Sequence, residues 1–383
     1  MSGALVGLKV SCSPMKISAI EITHHRLPLD PPFRPSWDFR PREKFDITIV
    51  RVKTDEGLEG VGSGDTMTGF QGHEHLFVGR DPTDVERHNR ILDNIQFHYG
   101  RCWPLDLALW DLRGKIEGQP VWKLLGGRRD RVPAYASSAT LRDAGGMAEA
   151  AEKYLAQGFR GLKLRFHRGD WRDDIRALEA VRKRVGDRLE LMVDCNQGWR
   201  MSHDDEEPWT FDAALPVARE LERLAVYWME EPLHRGDRKG MRRLRDAVEI
   251  RIAGGEMNRE LYEFRDLIEE GCLDVLQPDV CLTGGITGLR PVAQAAEAAG
   301  LIFTPHTWSN GLSYVANAHF TCGLTNAPFL EFPYDPPEWS LKRRDFMMRE
   351  TQDLTADGMI VLSEKPGFGV ELDEAVLKKT RIG

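Results

Sequence analysis

Seven times in the second two-thirds of this chain a short apolar run stops at an ionisable residue. The runs end at Arg165, Asp194, Glu230, Glu256, Asp279, His306 and Glu331, with successive endings 29, 36, 26, 23, 27 and 25 residues apart. Runs such as Leu191-Met192-Val193 before Asp194 and Ile302-Phe303 before His306 are too short for helices and read as buried strands. Each interval holds about one strand and one helix. Parallel strands need such crossovers, and a parallel barrel collects the C-termini of its strands at one mouth, where barrels of this kind do their chemistry. Seven charged endings at one mouth describe an active site.

A further strand at 134–139 brings the number to eight. Helices are expected at 146–157, 171–185, 209–224, 239–248, 260–270, 287–299 and 311–324. Residues 133–340 are therefore expected to form the catalytic domain, an α/β fold of the (β/α)8 type, a modified TIM barrel. A doubly wound open sheet is the alternative, and the chain has no GxGxxG after a first strand to support it. Ahead of the barrel, β-branched strands at 16–23, 45–54 and 58–63 surround the turn Asp55-Glu56-Gly57. Helices at 81–100 and 103–117 follow, the second stopped by Gly118-Gln119-Pro120. Residues 15–132 thus read as an α+β capping domain. The proline-stiffened stretch 28–37 reads as a loop, either a solvated connection or a cover over a substrate. Residues 341–383 are expected to return to the capping domain, since the barrel already has its strands. Residues 1–14 lack a basic n-region and a long apolar core, so they read as an alternative start or an added leader rather than a signal peptide.

Charge and cysteine usage narrow the function. With 52 basic against 60 acidic residues and no basic block, a nucleic-acid surface is not expected. The six cysteines form no CxxC pair, which argues against a disulfide framework or zinc site and for a reducing, cytoplasmic setting. No apolar run approaches the ~20 residues of a membrane span.

The strand endings themselves carry the chemistry. Asp194, Glu230 and Glu256 at one mouth would repel each other strongly in a low-dielectric cleft. A hard divalent cation removes that conflict, and an all-oxygen donor set suits Mg2+. One acidic residue after a strand is commonly only a helix N-cap, but three on successive strands are not explained that way. Glu231, beside Glu230, leaves open which of the two is the ligand. Lys163 and Arg165 share one face of a strand, because side chains alternate, and two inward cations suggest an anionic substrate. Asp279 and His306 end neighbouring strands. A histidine held in one tautomer by a carboxylate can act as general base, although a lone histidine at a strand end is often structural. Glu331 could be a hydrogen-bonded acid or a structural partner.

In order, the chain reads Lys-x-Arg (163–165), Asp-x-Asn (194–196), Glu-Glu-Pro (230–232) and Gly-Glu (255–256). Gln-Pro-Asp and Gly-Gly-Ile-Thr (277–287), Pro-His (305–306) and Leu-Glu (330–331) follow. This series, with the helix carrying Leu107-Ala108-Leu109-Trp110-Asp111-Leu112-Arg113-Gly114-Lys115, resembles the mandelate racemase subgroup of the enolase superfamily over nearly the whole chain. The resemblance implies Mg2+ on Asp194, Glu230 and Glu256, chelated by a small carboxylate substrate. A base then takes the α-proton, and metal and lysine stabilise the enediolate. By position it implies that Lys163 polarises the substrate carboxylate, that Asp279 and His306 form the catalytic pair, and that Glu331 hydrogen-bonds a carboxylate oxygen. It also implies an even-numbered homo-oligomer.

One position departs from the family pattern. The second strand commonly carries a second lysine as a base, and here that residue is Arg165. Arginine keeps its proton at any working pH, so it is a poor base and a good anion holder. Racemisation needs a base on each face; β-elimination of water needs one, because the same histidine can return its proton to the leaving hydroxyl. The expected activity is a Mg-dependent dehydratase of a sugar acid, aldonate or aldarate, giving a 2-keto-3-deoxy acid. Arg34, Trp37, Asn196 and Asn310 are the expected substrate contacts, with specificity in the 28–40 and 64–70 loops. A racemase or epimerase of a 2-hydroxy or amino acid is the alternative. Muconate-type cycloisomerases and dipeptide epimerases place a lysine where this chain has Asp279. An inert carboxylate-binding homologue should lack a ligand or the base, and none is missing.

Overall fold

Gly60 and Gly62 set how the first domain packs. In the computed structural model, which describes residues 15–382, strands β1 (Ile17–Phe33), β2 (Arg42–Thr54) and β3 (Glu59–Gly64) form an antiparallel sheet in that order. A Cβ on Gly60 would lie 2.2 Å from the Ala108 carbonyl oxygen, and one on Gly62 2.1 Å from that of Pro104. The backbone of the helix Trp103–Glu117 thus rests directly on β3. That helix is buried over most of its circumference and ends at Gly118, whose φ of 66° provides the left-handed cap. The expectations for residues 1–14 lie outside the described residues.

The first two strands are longer than the sequence suggests. β1 keeps pairing with β2 through Pro28↔Lys44 and, past an irregularity, to Phe33↔Arg42. Prolines are tolerated there because β1 is an edge strand, where a missing N–H costs no ladder bond. Leu29 and Phe33 anchor the segment in an apolar cluster with Ala139 and Trp339. The expected 28–40 loop therefore shrinks to residues 34–41.

The second domain is the barrel. Its parallel strands are β4 (Arg131–Ser137), β5 (Gly161–Arg165), β6 (Glu190–Asp194), β7 (Trp228–Glu230), β8 (Arg251–Gly254), β9 (Val275–Leu276), β10 (Ile302–Phe303) and β11 (Leu330–Pro333). They run in the order β10-β9-β8-β7-β6-β5-β4-β11. β10 and β11 are linked outside the ladders: Phe303 N donates to Asn326 O at 3.0 Å, and Thr307 Oγ1 to Glu331 O at 2.9 Å. Helices of 9 to 15 residues follow each strand from β4 to β10, except that the one after β11 is only Leu341–Arg344. The barrel interior below the mouth is filled by Tyr135, Met192, Trp228, Ala253 and Val275.

The C-terminal segment serves both domains. Strand β12 (Met359–Val361) adds antiparallel to β4, and the helix Glu374–Thr380 then packs on β1, where His25 Nδ1 lies 3.0 Å from Leu377 O. The domains also meet through Gly284 and Gly285. Asn89 Nδ2 donates to Gly284 O and to Asp106, and Asp106 accepts from Thr287 N. A Cβ on Gly285, at φ 65°, would sit 2.3 Å from Asp106 Oδ2. No helix among the described residues is long and apolar enough to cross a membrane.

Candidate active site

Ladder register builds the centre of the site. Arg165 pairs with Asp194 across β5 and β6, and Asp194 pairs with Glu230 across β6 and β7. Three charged side chains therefore stand side by side at one height. Glu256 follows β8 after Gly255, whose φ of 114° turns the chain back toward the mouth. One carboxylate oxygen from each of Asp194, Glu230 and Glu256 lies within 4.8 Å of the others, and all three residues are buried. Burial, assisted by the neighbouring carboxylates, raises Glu230 and Glu256 above the usual carboxylate range.

The tandem Glu230-Glu231 separates cleanly. Glu230 accepts from Lys163 at 2.5 Å, from Gln277 at 2.7 Å and from Trp228 Nε1 at 3.1 Å. Glu231 has φ 45° and turns its side chain toward Gly198, where a Cβ would come within 2.2 Å of its Oε1. Its Oε2 is buried without a partner, and burial pushes the carboxyl well above its ordinary value.

Lys163 and Arg165 are both buried and both committed. Lys163 Nζ lies 2.5 Å from Glu230, 2.8 Å from Glu331 and 3.6 Å from Asp194. Burial opposes its charge, but Glu230 and Glu331 prevail and raise its pKa. Arg165 ion-pairs with Asp194, donates from Nε to Ser138 O at 2.8 Å and from Nη2 to Ser137 Oγ at 3.2 Å. Its guanidinium also lies 4.6 Å from the ring centroid of Trp37.

On the other side, His306 Nδ1 is 3.0 Å from Asp279 Oδ2. Asp279 also accepts from Cys281 N at 2.9 Å and Asn317 Nδ2 at 2.8 Å, so it meets the ring as an acceptor and Nδ1 carries the proton. Nε2 faces the cleft, 3.8 Å from Glu256, and is the acceptor when the ring is neutral. Burial lowers His306, but Glu256 and the Asp279 hydrogen bond outweigh it and push its pKa up to about 10.

The cleft above these groups has a volume of about 380 Å3. Arg165, Asn196, Glu256 and His306 form its reactive end, and Trp37 from the capping domain lines it. Two expectations need correction. Arg34 is exposed and does not line the cleft. Asn310 caps the helix Gly311–Cys322, accepting from Leu312 N and Ser313 N, so its amide is spent on the fold. Glu331 accepts from Ser137 and Lys163 on one oxygen and from Thr307 N on the other. Despite burial, Lys163 and His306 hold Glu331 down at about 2, and its hydrogen bonds anchor its neighbours. Other residues went unnoticed in the sequence. Trp199 donates to Glu256 at 2.8 Å, and Ser137, at the end of β4, joins Glu331, Arg165 and Trp308.

A barrel mouth that gathers three buried carboxylates beside a histidine–aspartate pair can hold a divalent cation next to a group able to move a proton. Residues 17–126 match the family "Mandelate racemase / muconate lactonizing enzyme, N-terminal domain", and residues 146–376 match "Enolase C-terminal domain-like". The chain belongs to this family of the enolase superfamily. It is 28% identical to D-galactarolactone cycloisomerase of Agrobacterium fabrum, over 96% of this chain and 99% of that one. It is 30% identical to L-talarate/galactarate dehydratase of Salmonella typhimurium, over 90% and 84% of the two chains. A crystal structure of a racemase from Streptomyces coelicolor with bound magnesium superimposes with a TM-score of 0.82 at 28% identity, covering 96% of this chain and 100% of that one.

Proposed function

We propose that this protein is a Mg-dependent dehydratase of a sugar acid, working with one base. The observation that carries the reading is the state of Arg165. It stands where a second base would have to act, and its guanidinium is charged, buried and bound to Asp194, Ser138 and Ser137. His306 is then the group that can both take and return a proton.

The residues fit a divalent ion. Asp194, Glu230 and Glu331 pair with Lys163 and Arg165, and Glu256 adds a fourth carboxylate to the cluster, four negative charges against two positive. Asp194, Glu230 and Glu256 would hold the cation, and oxygen donors of this kind suit Mg2+. When bound, it supplies charge stabilisation for the substrate carboxylate and offsets the Glu256 charge that otherwise keeps His306 protonated.

The remaining work falls to the chain's own side chains. His306 Nε2 takes the proton from the α-carbon, while Asp279 fixes the ring and stabilises the imidazolium. Lys163 holds positive charge beneath the developing enediolate, with Glu331 keeping it in place. The bond from the β-carbon to its hydroxyl oxygen then breaks. The imidazolium proton leaves with that oxygen as water, and the enol left behind tautomerises to the 2-keto-3-deoxy acid. Dehydratases and a racemase both occur among the relatives, so the test must separate them. Aldonic and aldaric acids are incubated with enzyme and Mg2+, and 2-keto acid is measured beside α-epimer. Keto acid without epimer is expected; epimer without keto acid would overturn the proposal.

A further inference from the structure

The wall of the cleft away from the reactive end is built of rings. Phe33 and Trp308 lie near-parallel, 8° apart with centroids at 5.9 Å. Trp37 meets Trp308 edge-on at 5.0 Å, and Trp339 lies 5.0 Å from Phe33 and from Phe45. All five of these rings line the cleft. Met201, Met257 and Leu282 add further apolar surface to it.

Polar groups of the cleft include Lys44, Asp65, Thr66, Asn196 and Ser309, but those that border the rings are committed elsewhere. The Trp308 N–H donates to Ser137 at 2.8 Å and the Trp199 N–H to Glu256 at 2.8 Å, so both indoles give the cleft ring faces and no free donor. Arg165 is committed as described above. At the rim, Arg42 is paired with Asp38 at 3.2 Å, and Asp46 with Arg26 at 2.7 Å.

A straight polyol chain laid against the ring faces loses its water contacts there and finds no partner on them. Each hydroxyl left unpaired weakens binding. A ring keeps its apolar faces for the wall, and an aromatic contact adds attraction beyond the buried area. Closing a sugar into a ring also removes a free hydroxyl and presents a C–H face.

We infer that the substrate carries a ring beyond the reacting carbons, stacked against Trp37 and Trp308, with the buried Phe33 behind them. The shared chemistry is a flat or nearly flat apolar face, which a cyclised sugar or an aromatic group can provide. This inference rests on the proton-abstraction reading of the same cleft, whose charged end sets where the carboxylate goes.

The test uses the full chain with Mg2+ and reads binding by tryptophan fluorescence, without turnover. The probes are gluconate and galactarate as linear acids, a 3,6-anhydrohexonate as the sugar ring, and 2,3-dihydroxy-3-phenylpropanoate as the aromatic ring. At least one ring acid should bind about tenfold or more tightly than both linear acids, and the tighter ring identifies its source. Trp37→Ala should bring the ratio of ring to linear affinity toward 1, and Trp37→Phe should restore most of it. Linear acids binding as tightly as both ring acids would overturn the inference, as would a ratio unmoved in Trp37→Ala. Exchange of the α-proton in D2O is measured separately. Ring acids that bind tightly without exchange would sustain the ring and count against the reaction, whereas exchange confined to linear acids would do the reverse.

Discussion

Arg165 and Asp194 are register partners across β5 and β6, and the guanidinium of the first closes on the carboxylate of the second. This pairing fixes Arg165 as a charge that shapes the carboxylate cluster. Turnover in D2O should therefore return unreacted substrate without inversion at the α-carbon, as NMR and chiral chromatography can check. Arg165→Met should lower kcat/KM about 100-fold or more by freeing Asp194, yet keep the histidine limb of the pH profile. Inverted substrate from the wild-type enzyme would show a second base.

Glu230 and Glu231 are adjacent in sequence and opposite in role. Glu230→Gln or Glu256→Gln should weaken Mg2+ binding at least 100-fold by calorimetry, since each removes an anionic oxygen from the cluster. Glu231 is buried, and burial pushes its carboxyl toward the neutral form, which glutamine resembles in shape and charge. Glu231→Gln should leave Mg2+ affinity within about threefold. A large loss there would reassign the ligand.

His306 is expected to carry the proton, and groups of this kind contribute about 10²–10⁴ in rate. His306→Asn should lower kcat by about 10³ or more with KM little changed, because an asparagine keeps a polar contact but takes no proton. Asp279→Asn should cost less, about 10 to 100-fold, since the imidazole remains but loses its stabilising charge. Near-normal turnover of His306→Asn would remove it as the base.

The strand endings were legible because each combines an apolar run with an abrupt charge, and the ladders bring Arg165, Asp194 and Glu230 to one level as that pattern implied. Ser137 escaped notice because β4 ends in hydroxyls rather than an ionisable group, although Ser137-Ser138 was there to be read. The edge position of β1 made its prolines look like a loop. Asn310 looked like a ligand contact because a cap and a binding residue share one chemistry, and only the bonds to Leu312 N and Ser313 N decide between them. The aromatic wall was beyond reach for another reason: Phe33, Trp37, Trp308 and Trp339 come from opposite ends of the chain, and only the docking of the capping domain joins them.

His319 gives a stability prediction independent of the reaction. It is buried; its Nδ1 accepts from Trp122 N at 3.1 Å, so Nε2 carries the proton and faces Phe368 O at 3.2 Å. The neutral ring thus satisfies both neighbours, tying the helix Gly311–Cys322 to the junction before the barrel and to the C-terminal segment. A second proton would set two N–H groups against each other. Burial is the main cause that lowers its pKa from 6.5 to about 3, against a smaller raising effect from Phe368 O. A histidine depressed in the folded state binds fewer protons there than when unfolded, between those two values. Its contribution is therefore fully present above pH ~6.5 and is lost as pH falls toward ~3. Between pH ~7 and ~5 the loss amounts to about 2 kcal/mol. Urea unfolding across that range should show this acid-side slope. In His319→Gln, which keeps a donor and an acceptor but does not titrate, the slope should flatten by about one proton while stability at pH ~7 falls by roughly 1–3 kcal/mol. An unchanged slope in the variant would mean that other groups control the acid side.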